Sequence, residues 1–376
     1  VRSDREFSRT VPSSEKHAKE SCQEALMPDK IDLLDMEQPE MAEAVATLGE
    51  KPFRARQLWK WLYAGIFDFD MMTDLPSAFR ASLAQSHVAG GLTLVGRQVS
   101  SQDETSKFLF SLPDGNLVES VLMRYRYGLS ACISTQVGCR MGCAFCASSP
   151  LGLVRNLTVG EMMGQVLHMM QAGGERIGHV VLMGIGEPFD NYGNVMSLLH
   201  RLNRADTLAI SHRKLTVSTC GMVPAIVRFA GEGIPVNLSV SLHAPTQELR
   251  EQVMPIAKKW PLPQLLDACW EYVDITGRRI TFEYAMVRGW NDSPAHARML
   301  AALCRNRLCH VNLIPVNPVP GTSFLQGTMA GIHSFAKILE ENGIAATVRR
   351  ELGSDIEAAC GQLRRTVLQQ TGKGAQ

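Results

Sequence analysis

Neither sign of charge dominates this chain: 38 Lys and Arg against 37 Asp and Glu leave a formal net charge of +1. No global field therefore exists to grip a polyanion, and any contact with nucleic acid must come from local patches. Long apolar runs are missing too. None approaches the roughly 20 residues that span a bilayer, so the sequence gives a membrane role no support. The first 26 residues are polar and mixed in charge, and they lack the apolar stretch of a secretory signal. They read as a disordered extension upstream of a start at Met27. Ten cysteines in 376 residues, three of them in one motif, point to a reducing cytoplasm over a disulfide framework. The hydrophobic share of 45% and charged share of 20% are those of a globular protein, and the length predicts one large domain with a smaller one.

What is there begins with Gly138-Cys139-Arg140-Met141-Gly142-Cys143-Ala144-Phe145-Cys146, just after the apolar, β-like stretch from Ala131 to Thr135. Three thiolates spaced C-x3-C-x2-C can hold a four-iron cluster and leave one iron free to bind a small molecule. A structural zinc site normally closes four ligands. The next candidates here are His168, inside a helical pattern, and His179, at the edge of an apolar strand, and neither has zinc-ribbon spacing. The triad resembles the radical S-adenosylmethionine signature, whose open iron chelates the amino and carboxylate groups of S-adenosylmethionine.

Hydrophobic periodicity organises the rest. From about Lys30 to Ser86 the spacing is helical, as in Phe53 to Leu62. Strand-like alternation follows over 92–99, 107–112 and 117–123, with Pro113-Asp114-Gly115-Asn116 as the last turn and Glu119 on the final strand. Strands are then expected at 131–135, 179–183, 214–218, 236–242, 279–287 and 310–315, separated by helical stretches. The first of those helices opens on Thr158-Val159-Gly160-Glu161, a capping box. Six strand-helix repeats imply a parallel sheet with helical crossovers, and pattern alone leaves an open sheet and an incomplete barrel equally admissible. The resemblance selects an α/β fold with an incomplete (β/α)6 barrel. The division expected is a disordered extension over 1–26, a helical module over 27–90, a β-hairpin appendage over 91–128, the core domain over 129–363 and a tail over 364–376.

Ligands in such folds collect at the carboxyl ends of the strands, and the polar motifs fall there. Gly184-Ile185-Gly186-Glu187-Pro188 follows one strand; Ser218, then Ser241-Leu242-His243, then Asn317 close or follow others. Each has an ordinary reading: the glycines as a tight turn, the polar residues as helix caps, His243 as a satisfied core histidine. After a cysteine triad, the Gly-Glu-Pro run resembles the motif that holds the amino group of S-adenosylmethionine.

Near the far end, Gly353-Ser354-Asp355-Ile356-Glu357-Ala358-Ala359-Cys360-Gly361-Gln362-Leu363 sets a cysteine among small residues. Together with Cys132, Glu119 and Arg155-Asn156-Leu157-Thr158, this run closely resembles the radical S-adenosylmethionine adenine C2-methyltransferases of ribosomal and transfer RNA. The resemblance runs from about Met27 to Leu363. It implies that Cys139, Cys143 and Cys146 hold a 4Fe-4S cluster, and that Gly186, Glu187, Ser218, Ser241, Leu242, His243 and Asn317 bind the cofactor. It also implies that Cys360 carries the methyl group as S-methylcysteine, that Cys132 forms a transient disulfide with it, and that Glu119 accepts a proton. The substrates implied are an adenine of the 23S rRNA peptidyl transferase centre and the adenine 3′ to the tRNA anticodon. Two S-adenosylmethionine molecules per turnover, an electron donor such as flavodoxin or ferredoxin, and a cytoplasmic monomer complete the expectation. Basic pairs at Arg124/Arg126, Arg213-Lys214, Lys258-Lys259, Arg278-Arg279 and Arg349-Arg350 are candidates for phosphate contact or for ordinary solvated surface. Two other readings stay open: a C8-methylating antibiotic-resistance relative, and a non-catalytic, metal-stapled RNA-binding protein.

Overall fold

The computed structural model describes residues 30–149, 152–316, 324–350 and 352–356. The chain opens with β1 (Ile31–Asp32), three helices, α1 (Gln38–Thr47), α2 (Phe53–Tyr63) and α3 (Ser77–Ser86), and β2 (His87–Val88), which pairs with β1 in parallel. Three antiparallel strands follow, β3 (Thr93–Val99), β4 (Ser106–Ser111) and β5 (Leu117–Tyr125). The expected turn joins the last two: Gly115, at φ 78°, closes onto Leu112, and Asn116 N–H donates to Asp114 at 3.0 Å. Then come β6 (Gly128–Cys132) and a small antiparallel ribbon of β7 (Gln136–Gly138) and β8 (Leu153–Asn156).

From there strand and helix alternate. The helix α4 (Val159–Gly173) precedes β9 (Ile177–Leu182), and α5 (Tyr192–Asn203) precedes β10 (Leu215–Thr219). After α6 (Val223–Ala230) and β11 (Asn237–Ser241) lie α7 (Gln247–Val253), a short α8 (Ile256–Lys259) and α9 (Leu262–Thr276). The series ends with β12 (Ile280–Met286), α10 (Pro294–Cys304), β13 (Cys309–Pro315), α11 (Met329–Glu341) and β14 (Ala346–Val348). One ten-stranded sheet, in the order β14-β13-β12-β11-β10-β9-β6-β5-β4-β3, holds the chain together. It is parallel from β6 to β14, antiparallel from β6 to β3, and among the described residues does not close on itself, so the fold is an incomplete barrel with the antiparallel strands built on one edge.

Side-chain alternation explains the shape. A parallel sheet covered by helices on both faces reads as a continuous apolar run. Here the residues facing the helices are apolar and buried (Val180, Leu182, Leu215, Val217, Leu238, Val240, Ile280, Phe282, Val311, Leu313). Their neighbours on the opposite, concave face are Thr216, Ser218, Asn237, Ser239, Ser241, Thr281, Glu283 and Asn312, several of them half-buried. The register aligns Ser218 with Ser239 and Ser241 with Glu283 across adjacent strands. The concave face is therefore a polar, partly accessible lumen. The segment 352–356 reaches across to the β3–β4 turn, with Gly353 N–H on Asp103 at 2.7 Å and Asp355 accepting from the backbone and hydroxyl of Ser101.

Helix ends are set locally. Thr158 and Glu161 complete the expected capping box of α4, and Gly174, at φ 67°, ends that helix. The turn between β1 and α1 docks on the same helix: Asp35 accepts from Gly160 N–H at 2.6 Å, and a Cβ at Gly160 would lie 2.9 Å from the Asp35 backbone. Arg201 of α5, almost fully buried, seals the junction by donating to the Leu34 carbonyl and to Glu37. The short pairs β1–β2 and β7–β8 and the three-residue β14 went unpredicted.

Candidate active site

The seven parallel strands among the described residues point the same way, so their carboxyl ends form one rim. The cysteine loop sits on that rim, pinched at its base by the β7–β8 ribbon. Gly138, at φ 77°, approaches so closely that a Cβ there would meet the Gly152 carbonyl at 1.9 Å, and Cys139 N–H donates to that same oxygen at 2.8 Å. Only glycine fits this position. Within the loop Cys146 N–H returns to the Cys143 carbonyl, and Ala144 N–H anchors to the Val253 carbonyl at the end of α7. Cys139 and Cys143 are buried and Cys146 is half-buried. Burial, helped by the repulsion of Cys146, pushes the Cys139 thiol up to about 11 and the Cys143 thiol higher still.

The residues fit an iron–sulfur cluster. Two buried thiols and a half-buried one, set close enough that Cys146 disfavours ionisation of the other two, are stabilised as thiolates by a cationic metal core, which deprotonates its ligands outright. Among the described residues no three His, Cys, Asp or Glu side chains converge tightly enough for a single metal ion. A four-iron core instead asks its thiolates to surround a volume. His168 lies elsewhere, on α4 between the rings of Phe67 and Phe110, and His179 sits at the start of β9, packed by the edge of Tyr127.

Beside the loop, Gly184 and Gly186 turn the chain after β9 against residues 133–136. A Cβ at Gly184 would lie 2.6 Å from the Ile133 carbonyl, and one at Gly186, at φ 111°, 2.6 Å from Gln136 Cβ. Gln136 fastens the turn: its Oε1 accepts from Glu187 N–H at 2.8 Å, while its Nε2 donates to Asn156 and Asp190. The buried Glu187 carboxylate accepts from Phe189 N–H at 3.1 Å and Cys220 N–H at 2.7 Å. Burial raises its pKa and those two amides oppose the rise.

Ser218 and Ser241 are half-buried on the lumen face. Leu242 and His243 both bond the Glu283 carbonyl through their backbone amides. His243, in the left-handed region at φ 58°, accepts from Ala285 N–H through Nδ1 at 3.0 Å. Its ring lies 4.5 Å from that of Phe145 in the cysteine loop. Burial depresses its pKa to about 3, so it is neutral, with the proton on Nε2.

Glu119 and Cys132 share the lumen face. Register pairs Cys132 with Val121 on β5 and Val181 on β9, and Glu119 lies two residues from Val121. Both are buried, and Cys132 packs with Met123, Val181, Met183 and Leu352. A buried polar knot holds this corner: Gln165 accepts from Ser120 at 2.7 Å and from Ser134 N–H at 2.8 Å, and Ser134 Oγ donates to the Glu119 carbonyl at 2.6 Å. Asn317 and Cys360 lie outside the described residues.

Topology sorts the basic clusters. Arg124 and Arg126 flank the amino end of β6, Arg213-Lys214 that of β10 and Arg278-Arg279 that of β12, opposite the cysteine loop. Arg124 is moreover paired with Glu104 and Glu175. Only Lys258-Lys259 and Arg349-Arg350 follow carboxyl ends. Sequence reasoning missed the buried Arg250 and Glu283, and the alternation in β10 to β13 was the signal for Glu283.

Residues 31–88 match the ribosomal RNA large subunit methyltransferase N-terminal domain and residues 133–300 the radical SAM superfamily. A protein of Desulforamulus reducens named a probable dual-specificity RNA methyltransferase RlmN is 51% identical over 338 residues, 90% of this chain and 97% of its own length. A namesake from Alkaliphilus oremlandii is 49% identical over 341 residues, 91% of this chain and 99% of its own. The crystal structure of a radical SAM methyltransferase from Sphaerobacter thermophilus superposes with a TM-score of 0.85 at 44% identity, covering 88% of this chain and 98% of the other. With a cysteine loop and glycine turn meeting on the rim of an incomplete barrel, and relatives of this identity along nearly their whole length, the chain belongs to the dual-specificity RNA methyltransferase family RlmN.

Proposed function

We propose that the protein methylates C2 of an adenine in 23S rRNA and of the adenine 3′ to the anticodon in transfer RNA, using two S-adenosylmethionine molecules per turnover. The observation that supports this reading is the meeting of four features on one rim and lumen: the cysteine loop, the Gly184–Glu187 turn, Cys132 and Glu119. A non-catalytic RNA-binding protein has no use for the last three.

Cys139, Cys143 and Cys146 hold the 4Fe-4S cluster; Gly186, Glu187, Ser218, Ser241, Leu242, His243 and Asn317 hold S-adenosylmethionine. The bound cluster supplies the electron that cleaves one S-adenosylmethionine and so generates the radical that activates the methyl group. The chain's residues do the rest. Adenine C2 lies between two ring nitrogens, is electron-poor and cannot attack a sulfonium methyl. A thiolate can, so Cys360 takes the methyl from the other S-adenosylmethionine and becomes S-methylcysteine. After Cys360 is joined to C2 through that carbon, Glu119 accepts the C2 proton. The adduct gives up one electron, matching the one supplied at the start, and the Cys132 thiolate then attacks the Cys360 sulfur: the carbon–sulfur bond breaks, the released carbon takes up a proton to become the methyl group on C2, and the RNA leaves behind a disulfide that a cellular dithiol reduces. Leu352, eight residues before Cys360, packs in the same cluster as Cys132, which favours this pairing. An electron donor of the flavodoxin or ferredoxin class, a monomeric state and a cytoplasmic location accompany the proposal.

The test is nucleoside mass spectrometry of ribosomal and transfer RNA from a deletion strain, with and without the gene restored. Loss and return of 2-methyladenosine in both RNAs is the expected result. Return of 8-methyladenosine would overturn the C2 assignment.

A further inference from the structure

Arg250, on α7, has no exposure to solvent, and nothing in the proposed chemistry uses it. Its Nη2 donates to the Cys220 carbonyl at 2.7 Å and reaches that of Ser241 at 3.4 Å. Its Nε and Nη1 are buried and have no hydrogen-bond partner among the described residues. A guanidinium carries five N–H donors in a fixed fork, of which Nε and Nη1 bear three. A buried cation with most of its donors unmatched is strongly unfavourable unless an anion meets it.

Its surroundings say which anion. Gly221, at φ 106°, makes room for the fork: a Cβ there would come within 3.1 Å of Nη2. The helix that carries Arg250 is stitched to the cysteine loop, because the Val253 carbonyl accepts from Ala144 N–H at 2.9 Å and Met254 N–H returns to the Arg250 carbonyl. Cys143, Cys220, Val253 and Met254 pack as one cluster. Cys220, whose carbonyl takes the Nη2 bond, belongs to that cluster together with Cys143.

We propose that Arg250 is the built-in counter-charge of the iron–sulfur cluster at its Cys143 corner, donating its unmatched N–H groups to anionic sulfur and favouring the reduced state. This rests on the reading that Cys139, Cys143 and Cys146 hold that cluster. Three thiolates make the assembly anionic, and one-electron reduction makes it more so. A fixed positive charge and hydrogen bonds to sulfur both stabilise the reduced form. Arg250 is thus a positioning residue, acting through the cluster.

The test compares wild type with Arg250→Met, which matches the volume of the side chain and removes its charge, and with Arg250→Lys, which keeps the charge. Each is reconstituted anaerobically with iron and sulfide, assayed for iron content, titrated reductively and read by electron paramagnetic resonance. The expected result for Arg250→Met is a loaded cluster whose reduced-to-oxidised ratio at a fixed potential falls about tenfold, equivalent to about 59 mV for a one-electron couple. Arg250→Lys should restore most of that loss. The apoproteins supply an independent readout: without a cluster, Arg250→Met should melt no lower than wild type, since the orphaned charge is gone. Apo Arg250→Met melting well below wild type would overturn the proposal and make Arg250 a structural tie. So would a loaded Arg250→Met cluster of unchanged potential with weakened S-adenosylmethionine binding, which would give Arg250 to the cofactor carboxylate. A wild-type protein that takes up no cluster would instead overturn the reading on which the inference rests.

Discussion

The amide of Cys220, just past the end of β10, donates to the carboxylate of Glu187, just past the end of β9, at 2.7 Å. A second amide, that of Phe189, reaches the other carboxylate oxygen. Glu187→Gln keeps the shape but turns an NH2 group toward one of the two donors. Leaving a buried amide unsatisfied costs about 1–3 kcal/mol. The expected outcome is a loss of that size in chemical denaturation, together with weaker S-adenosylmethionine binding by calorimetry. A stability loss with unchanged affinity would make Glu187 a strut between strand ends only.

Each of Cys139→Ala, Cys143→Ala and Cys146→Ala should abolish the iron–sulfur chromophore and all cleavage of S-adenosylmethionine, because two thiolates rarely hold a cubane. The loop itself should persist, since backbone bonds to Gly152 and Val253 anchor it. Iron and sulfide analysis after anaerobic purification checks this. A triple-alanine protein with a normal chromophore would end the cluster assignment.

How much of this was legible depended on the range over which each signal acts. Five of the six long parallel strands and the Thr158–Glu161 box were readable because periodicity and capping are local, whereas the strand expected at 131–135 forms three residues earlier, at Gly128–Cys132, because its place is set by pairing with β5 and β9. The three residues of β14 and the β7–β8 ribbon carry no period to detect. Their pairing is fixed by tertiary contacts, as where Gly138 meets Gly152. The motif order announced Glu119 and Cys132, but their common face follows from the register of β5, β6 and β9. In sequence Arg250 is one charge among many, and only its burial against Cys220 distinguishes it. The basic clusters are equivalent in sequence, and topology separates them, since the direction of the parallel strands puts three on the far edge.

That separation makes a prediction about salt. Removing the charges of Arg349 and Arg350 should shallow the slope of log affinity for RNA against log salt, by roughly one unit for each phosphate no longer neutralised. Removing those of Arg278 and Arg279, on the opposite edge, should leave it unchanged. Filter-binding or fluorescence titrations over a series of salt concentrations measure both. Equal effects from the two pairs would mean that RNA wraps both edges.

Acid should loosen the junction around α4. His168 lies between Phe67 and Phe110, and burial lowers its pKa from 6.5 to about 4. The fold therefore favours the neutral ring. Its contribution is fully present above pH 6.5 and is lost as pH falls through that window toward 4, amounting to about 2 kcal/mol by pH 5. Asp32 acts with the opposite sign: burial raises it to about 6, so its contribution is present below 3.8 and is lost as pH rises through 6. The wild-type curve mixes the two. Comparing denaturation of wild type and His168→Leu at pH 7 and pH 5 isolates the histidine, and the variant should lose about 2 kcal/mol less. Equal losses would mean that His168 keeps an ordinary pKa.

Cys132 separates the proposed chemistry from packing. It is a buried thiol among Val121, Met123, Val181 and Leu352, surroundings that would suit an inert core cysteine. Under the proposed function its work comes after the carbon–carbon bond has formed. Cys132→Ala should still accept a methyl group on Cys360, still cleave S-adenosylmethionine and still attack the adenine, and then stall with RNA attached. A denaturing gel should show a protein–RNA crosslink in Cys132→Ala and none in the Cys132→Ala, Cys360→Ala double variant, which lacks the methyl carrier. Glu119→Ala should also trap an adduct, one that still carries the C2 proton, because proton loss precedes resolution. Thermal melting of Cys132→Ala controls for packing, since removing one sulfur from this cluster leaves its aliphatic neighbours in place. Free methylated RNA released by Cys132→Ala at the wild-type rate would reduce Cys132 to a packing residue and remove the disulfide from the cycle.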